Sequence, residues 1–327
     1  MIRRDDRGQL MLVTALVMAT LFVVLALLVN TTIYTGNVAT RSDVSESAQV
    51  VNYRSEAVFA AGETVRYANR NDNESTPDVD AAYVALNESL RSSVKNWSDE
   101  AARHDALSGT ATRTWVVDVR NGTRIAQEAS TRNLSSPAGA TYWTPVSGVT
   151  AVRGPTMTLD AASLAPVDDD GDDVSELEDD DAFHVETDEI DGERHTLYVY
   201  ERDDGDVGVT VVEPSGTVRT CGAANDGAVS LDAHAGTFEG ETCPALAAFS
   251  DADNAFAVRF DDAQNAVGTY SFVVDERADT ASVDPSLSLD SGTPFYTAAI
   301  YDADVAVTYR SPNTNYNATV GVPDATA

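Results

Sequence analysis

Gln9-Leu-Met-Leu-Val-Thr-Ala-Leu-Val-Met-Ala-Thr-Leu-Phe-Val-Val-Leu-Ala-Leu-Leu-Val29 carries no charge, and its only polar residues are Gln9, Thr14 and Thr20. A helix rises about 1.5 Å per residue, so about 20 residues cross a hydrocarbon layer roughly 30 Å thick. A backbone in lipid must satisfy its own polar groups, so a lone apolar run of this length predicts a transmembrane helix, here over 9–30. Arg3, Arg4 and Arg7 precede the run, and the first basic residue after it is Arg41. Basic residues stay on the cytoplasmic side, so residues 1–8 are expected inside and the remainder outside. Tyr34 then falls at the outer interface.

Beyond the run, residues 38–70 lack proline and hold one glycine, Gly62. Val44, Ala48, Val51, Val58, Ala61 and Val65 recur at steps of three, four or seven among charged residues, which predicts an amphipathic helix. Joined to the span, it reads as a stalk over 31–70. Residues 69–80 are a polar break. Asp80 is then expected to cap a second helix, within 71–108, with Tyr83, Leu86, Leu90, Val94 and Trp97 on one face.

After Ser108-Gly109 the period changes to two. Trp115, Val117 and Val119 alternate with Val116, Asp118 and Arg120, and Asn121-Gly122 reads as a hairpin turn. Further strands are expected at 196–201, 207–212, 228–231, 256–260, 266–274 and 297–309, with an edge strand in the tail. Asp203-Asp204-Gly205-Asp206 joins the first two. The expected fold class is α+β: an N-terminal transmembrane helix continuing into a stalk helix, followed by an antiparallel, sandwich-like β domain over 109–327.

Acids outnumber bases 53 to 21 in 327 residues, for a formal net charge of −32, and Lys95 is the single lysine. That sign disfavours nucleic acid as a partner. It fits either a basic or divalent-cation partner or a surface hydrated for high salt; the scarcity of lysine favours the second and resembles haloarchaeal proteins. Cys221 and Cys243 are the only cysteines. Outside the membrane they are expected to form a disulfide worth roughly 3 kcal/mol in the chain-entropy account, with two free thiols as the alternative.

Residues 168–181 hold ten acids in fourteen positions. Asp168, Asp170 and Asp172 alternate as in a calcium loop, but the glycine, Gly171, comes two positions early, and a solvated, self-repelling loop is the better reading. His184, Glu186 and Asp188 would share one strand face, a pattern that can ligate a metal but arises by chance in so acidic a chain. No metal site, cofactor or catalytic residue is assigned, and the chain is read as non-enzymatic. Asn-x-Ser/Thr sequons begin at Asn30, Asn73, Asn87, Asn96, Asn121, Asn133 and Asn317. All but Asn30, which is too near the lipid, are candidate glycosylation sites.

Arg7-Gly8-Gln9 sits immediately before the apolar run. This resembles the class III signal peptide of archaeal pilins and flagellins, in which cleavage would fall between Gly8 and Gln9. A plain single-span anchor is the alternative; a cleaved secretory signal fits less well, because the apolar core is long and no small-x-small site follows it. With the acidic outer region, the order resembles haloarchaeal type IV pilin-like surface proteins. The resemblance implies a cell-surface structural or adhesive component, with the lipid bilayer, a prepilin peptidase and other pilin-like subunits, through the N-terminal helix, as partners. Val13 stands where many pilins carry glutamate, which bears on filament assembly more than on anchoring. A monomeric anchored binding module is the runner-up function, and a surface hydrolase the third.

Overall fold

The computed structural model describes residues 47–71, 78–167, 173–189, 192–247, 255–288 and 294–322. Helical residues 47–71 (α1) are followed by α2 (Val79–Ala106), β1 (Ala111–Gln127), β2 (Trp143–Val149), β3 (Val152–Asp160), α3 (Val174–Asp179), β4 (Phe183–Glu189), β5 (Arg194–Glu201), β6 (Val207–Val212) and β7 (Val218–Ala223). Then come β8 (Ala228–Asp232), β9 (Thr237–Phe238), β10 (Glu241–Thr242), α4 (Pro244–Ala247), β11 (Phe256–Asp261), β12 (Gly268–Val274), β13 (Ser282–Val283), β14 (Phe295–Arg310) and β15 (Asn315–Gly321). One sheet has the order β10-β9-β8-β3-β12-β1-β14-β15, the other β13-β2-β11-β4-β5-β6-β7. Neighbouring strands are antiparallel in both.

The two sheets pack face to face. Ile125, Leu159, Leu231, Phe272 and Val274 of the first interdigitate with Trp143, Val185, Leu197, Val209, Val258 and Phe260 of the second. α1 and α2 cover part of the first sheet's other face, where Tyr53, Ala57, Ala61, Leu86, Leu90 and Val94 meet Val116, Ile300, Val305 and Val307. β14 is therefore buried on both sides, and its sequence is rich in alanine and valine rather than strictly alternating. On the second sheet's outer face, Leu177 of α3 packs with Tyr198 and Tyr200.

This arrangement corrects the expected fold class. Among the described residues, no helix is long and apolar enough to cross a membrane. α1 is not a stalk carrying a separate β domain: it lies on the first sheet, in one apolar cluster with α2, β1 and β14. The apolar run 9–29 lies outside the described residues, as does all of 1–46. The physical reason is in the phase of α1. Its buried apolar residues are Val50, Tyr53, Ala57, Ala61 and Ala68, whereas Val51 of the expected stripe is exposed. Alanines are weak apolar signals in a sequence, yet on a helix they permit close approach to a sheet.

Two local expectations also change. The cap of α2 is Asp78, whose Oδ1 accepts from the backbone N of Ala81 at 3.1 Å; Asp80 sits in the first turn. Asn121-Gly122 is no hairpin, because β1 runs straight through it and pairs with β14 on one side and β12 on the other. A Cβ on Gly122 would lie 2.2 Å from the carbonyl oxygen of Val274 and 2.8 Å from Cβ of Tyr301, so glycine is there for backbone proximity, not for a turn.

Candidate functional site

The cysteines form the disulfide Cys221–Cys243, with Cα atoms 5.8 Å apart. Cys221 lies in β7, an edge strand of the second sheet, and Cys243 directly follows β10, an edge strand of the first. The bond therefore ties the two sheets together along one edge, next to α4.

The sequons occupy very different surroundings. Asn73 and the Arg7-Gly8-Gln9 motif lie outside the described residues. Asn87 and Asn121 are half-buried, each with an enclosed Oδ1 that has no hydrogen-bond partner. Thr123, the hydroxyl residue of the Asn121 sequon, is fully buried and donates to the carbonyl of Glu276 at 2.6 Å. Asn96 is exposed, but Ser98 of its sequon is buried and accepts from the backbone N of Thr114 at 2.8 Å. Asn133 accepts from Ser135 Oγ at 2.6 Å, with Leu134 fully buried between them. At Asn317, on the edge strand β15, both the asparagine and Thr319 are exposed.

β4 places His184, Glu186 and Asp188 on one face, as alternation requires. Their chemistry is already taken up by arginines from the flanking strands. Glu186 Oε1 lies 2.7 Å from Arg194 Nη1 and its Oε2 3.0 Å from Arg259 Nη1, while Asp188 Oδ2 is 3.3 Å from Arg259 Nη2. His184 packs against Tyr198, with ring centroids 4.7 Å apart and the planes tilted by 38°. Among the described residues no group of three or more His, Cys, Asp or Glu is placed to hold a metal ion. Asp168, Asp170 and Asp172 lie outside those residues, and Asp173 is the N-cap of α3.

The feature that the sequence did not reveal is a cleft of about 90 Å³ on the helix-covered side of the first sheet. α1 and α2 lie over β1 and β14, and beside them the same sheet face continues onto β12 and β3 as Ser271, Val273, Arg153 and Thr156. The cleft runs between these strands and the C-terminal half of α1. Four arginines line it, Arg66 and Arg70 from α1, Arg124 from β1 and Arg153 from β3, against two carboxylates, Asp232 and Asp302.

Arg124 is only 5% exposed. Its Nε donates to Ser271 Oγ at 3.0 Å and its Nη2 to Glu128 Oε1 at 3.1 Å. Burial pushes its proton affinity below the ordinary arginine value; Glu128 opposes that shift and the charge of Arg70 adds to it. Arg153 is held by Asp302, at 3.3 Å, and lies over the Tyr301 ring, 4.8 Å from its centroid. Arg66 pairs with Glu63, one helical turn back, and the exposed Arg70 makes no ion pair with a described residue. The floor is fixed by Asn69, whose Nδ2 donates to the carbonyl of Ile300 at 2.8 Å and whose Oδ1 accepts from its N–H at 2.7 Å.

Residues 4–134 match a family of unknown function, DUF7261. The matched stretch takes in α1, α2 and β1, and so three of the four cleft arginines. No curated protein and no solved structure matches the chain.

Proposed function

We propose that the chain is a pilin-like cell-surface component of a halophilic archaeon, structural or adhesive rather than enzymatic. In this reading the segment 9–29 holds it at the membrane and the two-sheet body is displayed outside. The observation that carries the reading is the Cys221–Cys243 disulfide. Disulfides persist in oxidising compartments and are rare in reducing ones. The acidic surface and the exposed sequon at Asn317 support the same placement.

The single lysine provides the test. Lys95 stands on the outer side of α2 with 70% of its side chain exposed. An amine-reactive reagent that cannot cross membranes should label Lys95 on intact cells. Labelling only after lysis would place the body inside and overturn the reading. The arginine-lined cleft favours the second reading, an anchored binding module, because a structural subunit alone has no need of it.

A further inference from the structure

We propose that the cleft between α1 and the open part of the first sheet binds an oxyanion: a carboxylate, as on an acidic sugar, or a phosphate or sulfate ester. This goes beyond the surface-component reading and does not depend on it.

The cleft gathers arginines from three elements, of which Arg66, Arg124 and Arg153 each have a carboxylate partner. In a chain where acids outnumber bases 53 to 21, four guanidinium groups converge on one concavity with two lining carboxylates. Spacing of one turn on a single helix brings Arg66 and Arg70 to one face without any ligand. It does not explain Arg124 and Arg153, which come from two strands and are carried to the same place by β1–β12–β3 pairing.

Arg124 is the strongest indication. A guanidinium has five N–H donors, and Arg124 uses its Nε and one Nη2 hydrogen on Ser271 and Glu128. A buried cation is stable only when its charge and donors are well met. Its guanidinium lies over the Phe295 ring, 5.6 Å from the centroid, but among the described residues its carboxylate partner, Glu128, is half exposed, at 51%, and Arg70 adds repulsion. An oxyanion between Arg124, Arg153 and Arg70 would relieve that repulsion and accept paired N–H bonds, the geometry that suits guanidinium to carboxylate and phosphate.

Size limits the ligand. Pockets for whole drug-sized molecules run to about 300 Å³ or more. At about 90 Å³ this cleft takes the anionic group only, and the rest of the ligand stays outside, past the exposed Arg70 and His234.

The test is isothermal titration of the full chain with glucuronate and, separately, inorganic phosphate, at constant ionic strength. Arg70→Glu and Arg153→Gln are the test variants. Arg219→Glu is the control, because Arg219 pairs with Glu213 on the other sheet. The expected result is saturable one-to-one binding, weakened at least tenfold in both test variants, each still folded by circular dichroism, and retained in the control. Binding of glucuronate alone assigns a carboxylate ligand; binding of phosphate alone assigns a phosphate or sulfate ester. Binding of neither probe, or equal losses in test and control variants, overturns the proposal.

Discussion

Replacing Asn69 with alanine should destabilise the whole body, not merely loosen one helix. The Asn69 side chain is 7% exposed and makes two hydrogen bonds to the backbone of Ile300, at 2.8 and 2.7 Å. They fall beside a break in the β1–β14 register, between Arg120 and Asn121, whose partners are Asp302 and Ile300. Alanine would remove both bonds and leave a buried N–H and a buried carbonyl without a partner. Each such group costs about 1–3 kcal/mol, so the change should cost about 2–6 kcal/mol. Urea unfolding at constant high salt is the suitable assay, since guanidinium is itself a salt and would confound an acidic surface. Trp97 reports on the helices, being stacked on Tyr53 at 6.0 Å, and Trp143 on the inter-sheet core. With a urea slope of about 1–3 kcal/mol per molar, the midpoint should fall by about 1 M or more. Asn71→Ala, at an exposed site bonded among the described residues to the carbonyl of Tyr67, should stay within about 0.5 kcal/mol of the parent. A loss below about 0.5 kcal/mol at Asn69, or a helix that melts while the sheet transition stays in place, would refute the docking of α1.

Other contacts in the fold carry their own expected outcomes. Cys221→Ser with Cys243→Ser should lower stability by about 3 kcal/mol for a bridge spanning 22 residues, read from the same urea titration with and without reductant. Glycopeptide mapping of natively produced protein should find Asn317 occupied and Asn121 bare; the reverse pattern would contradict the burial of Thr123. Burial raises the proton affinity of Tyr53, Tyr83, Tyr198, Tyr270 and Tyr301 above the ordinary value of 10.0. The folded state therefore holds those protons more tightly. Its advantage is complete below pH 10 and is lost as pH rises through the folded values, so the unfolding midpoint should drop above about pH 10. Tyr83→Phe should also destabilise at neutral pH by about 1–3 kcal/mol, since it leaves Gly122 O and Ala278 N without the hydroxyl that joins them.

How much was legible depended on whether a signal was local. The β5–β6 pair could be read from two short strand-like runs and from the turn at 203–206, where Gly205 has φ of 84°. The buried face of α2 could be read because Tyr83, Leu86, Leu90 and Val94 are large and regularly spaced. The phase of α1 could not, because its contact face is mostly alanine plus the polar Asn69. Asn121-Gly122 misled because a close backbone approach and a hairpin call for the same residue. The arginine cleft was invisible for a different reason: Arg66, Arg124 and Arg153 are remote in sequence and meet only through strand pairing and helix docking. The alternation of His184, Glu186 and Asp188 was real, but Arg194 and Arg259, which determine its chemistry, lie on β5 and β11.

The central claim is a pilin-like protein held at the cell surface, and the position of its mature N-terminus tests it most directly. Mass spectrometry of the protein isolated from its own membranes should find chains beginning at Gln9, the product of cleavage after Gly8. Chains beginning at Met1 or Ile2, or well beyond Val29, would contradict it.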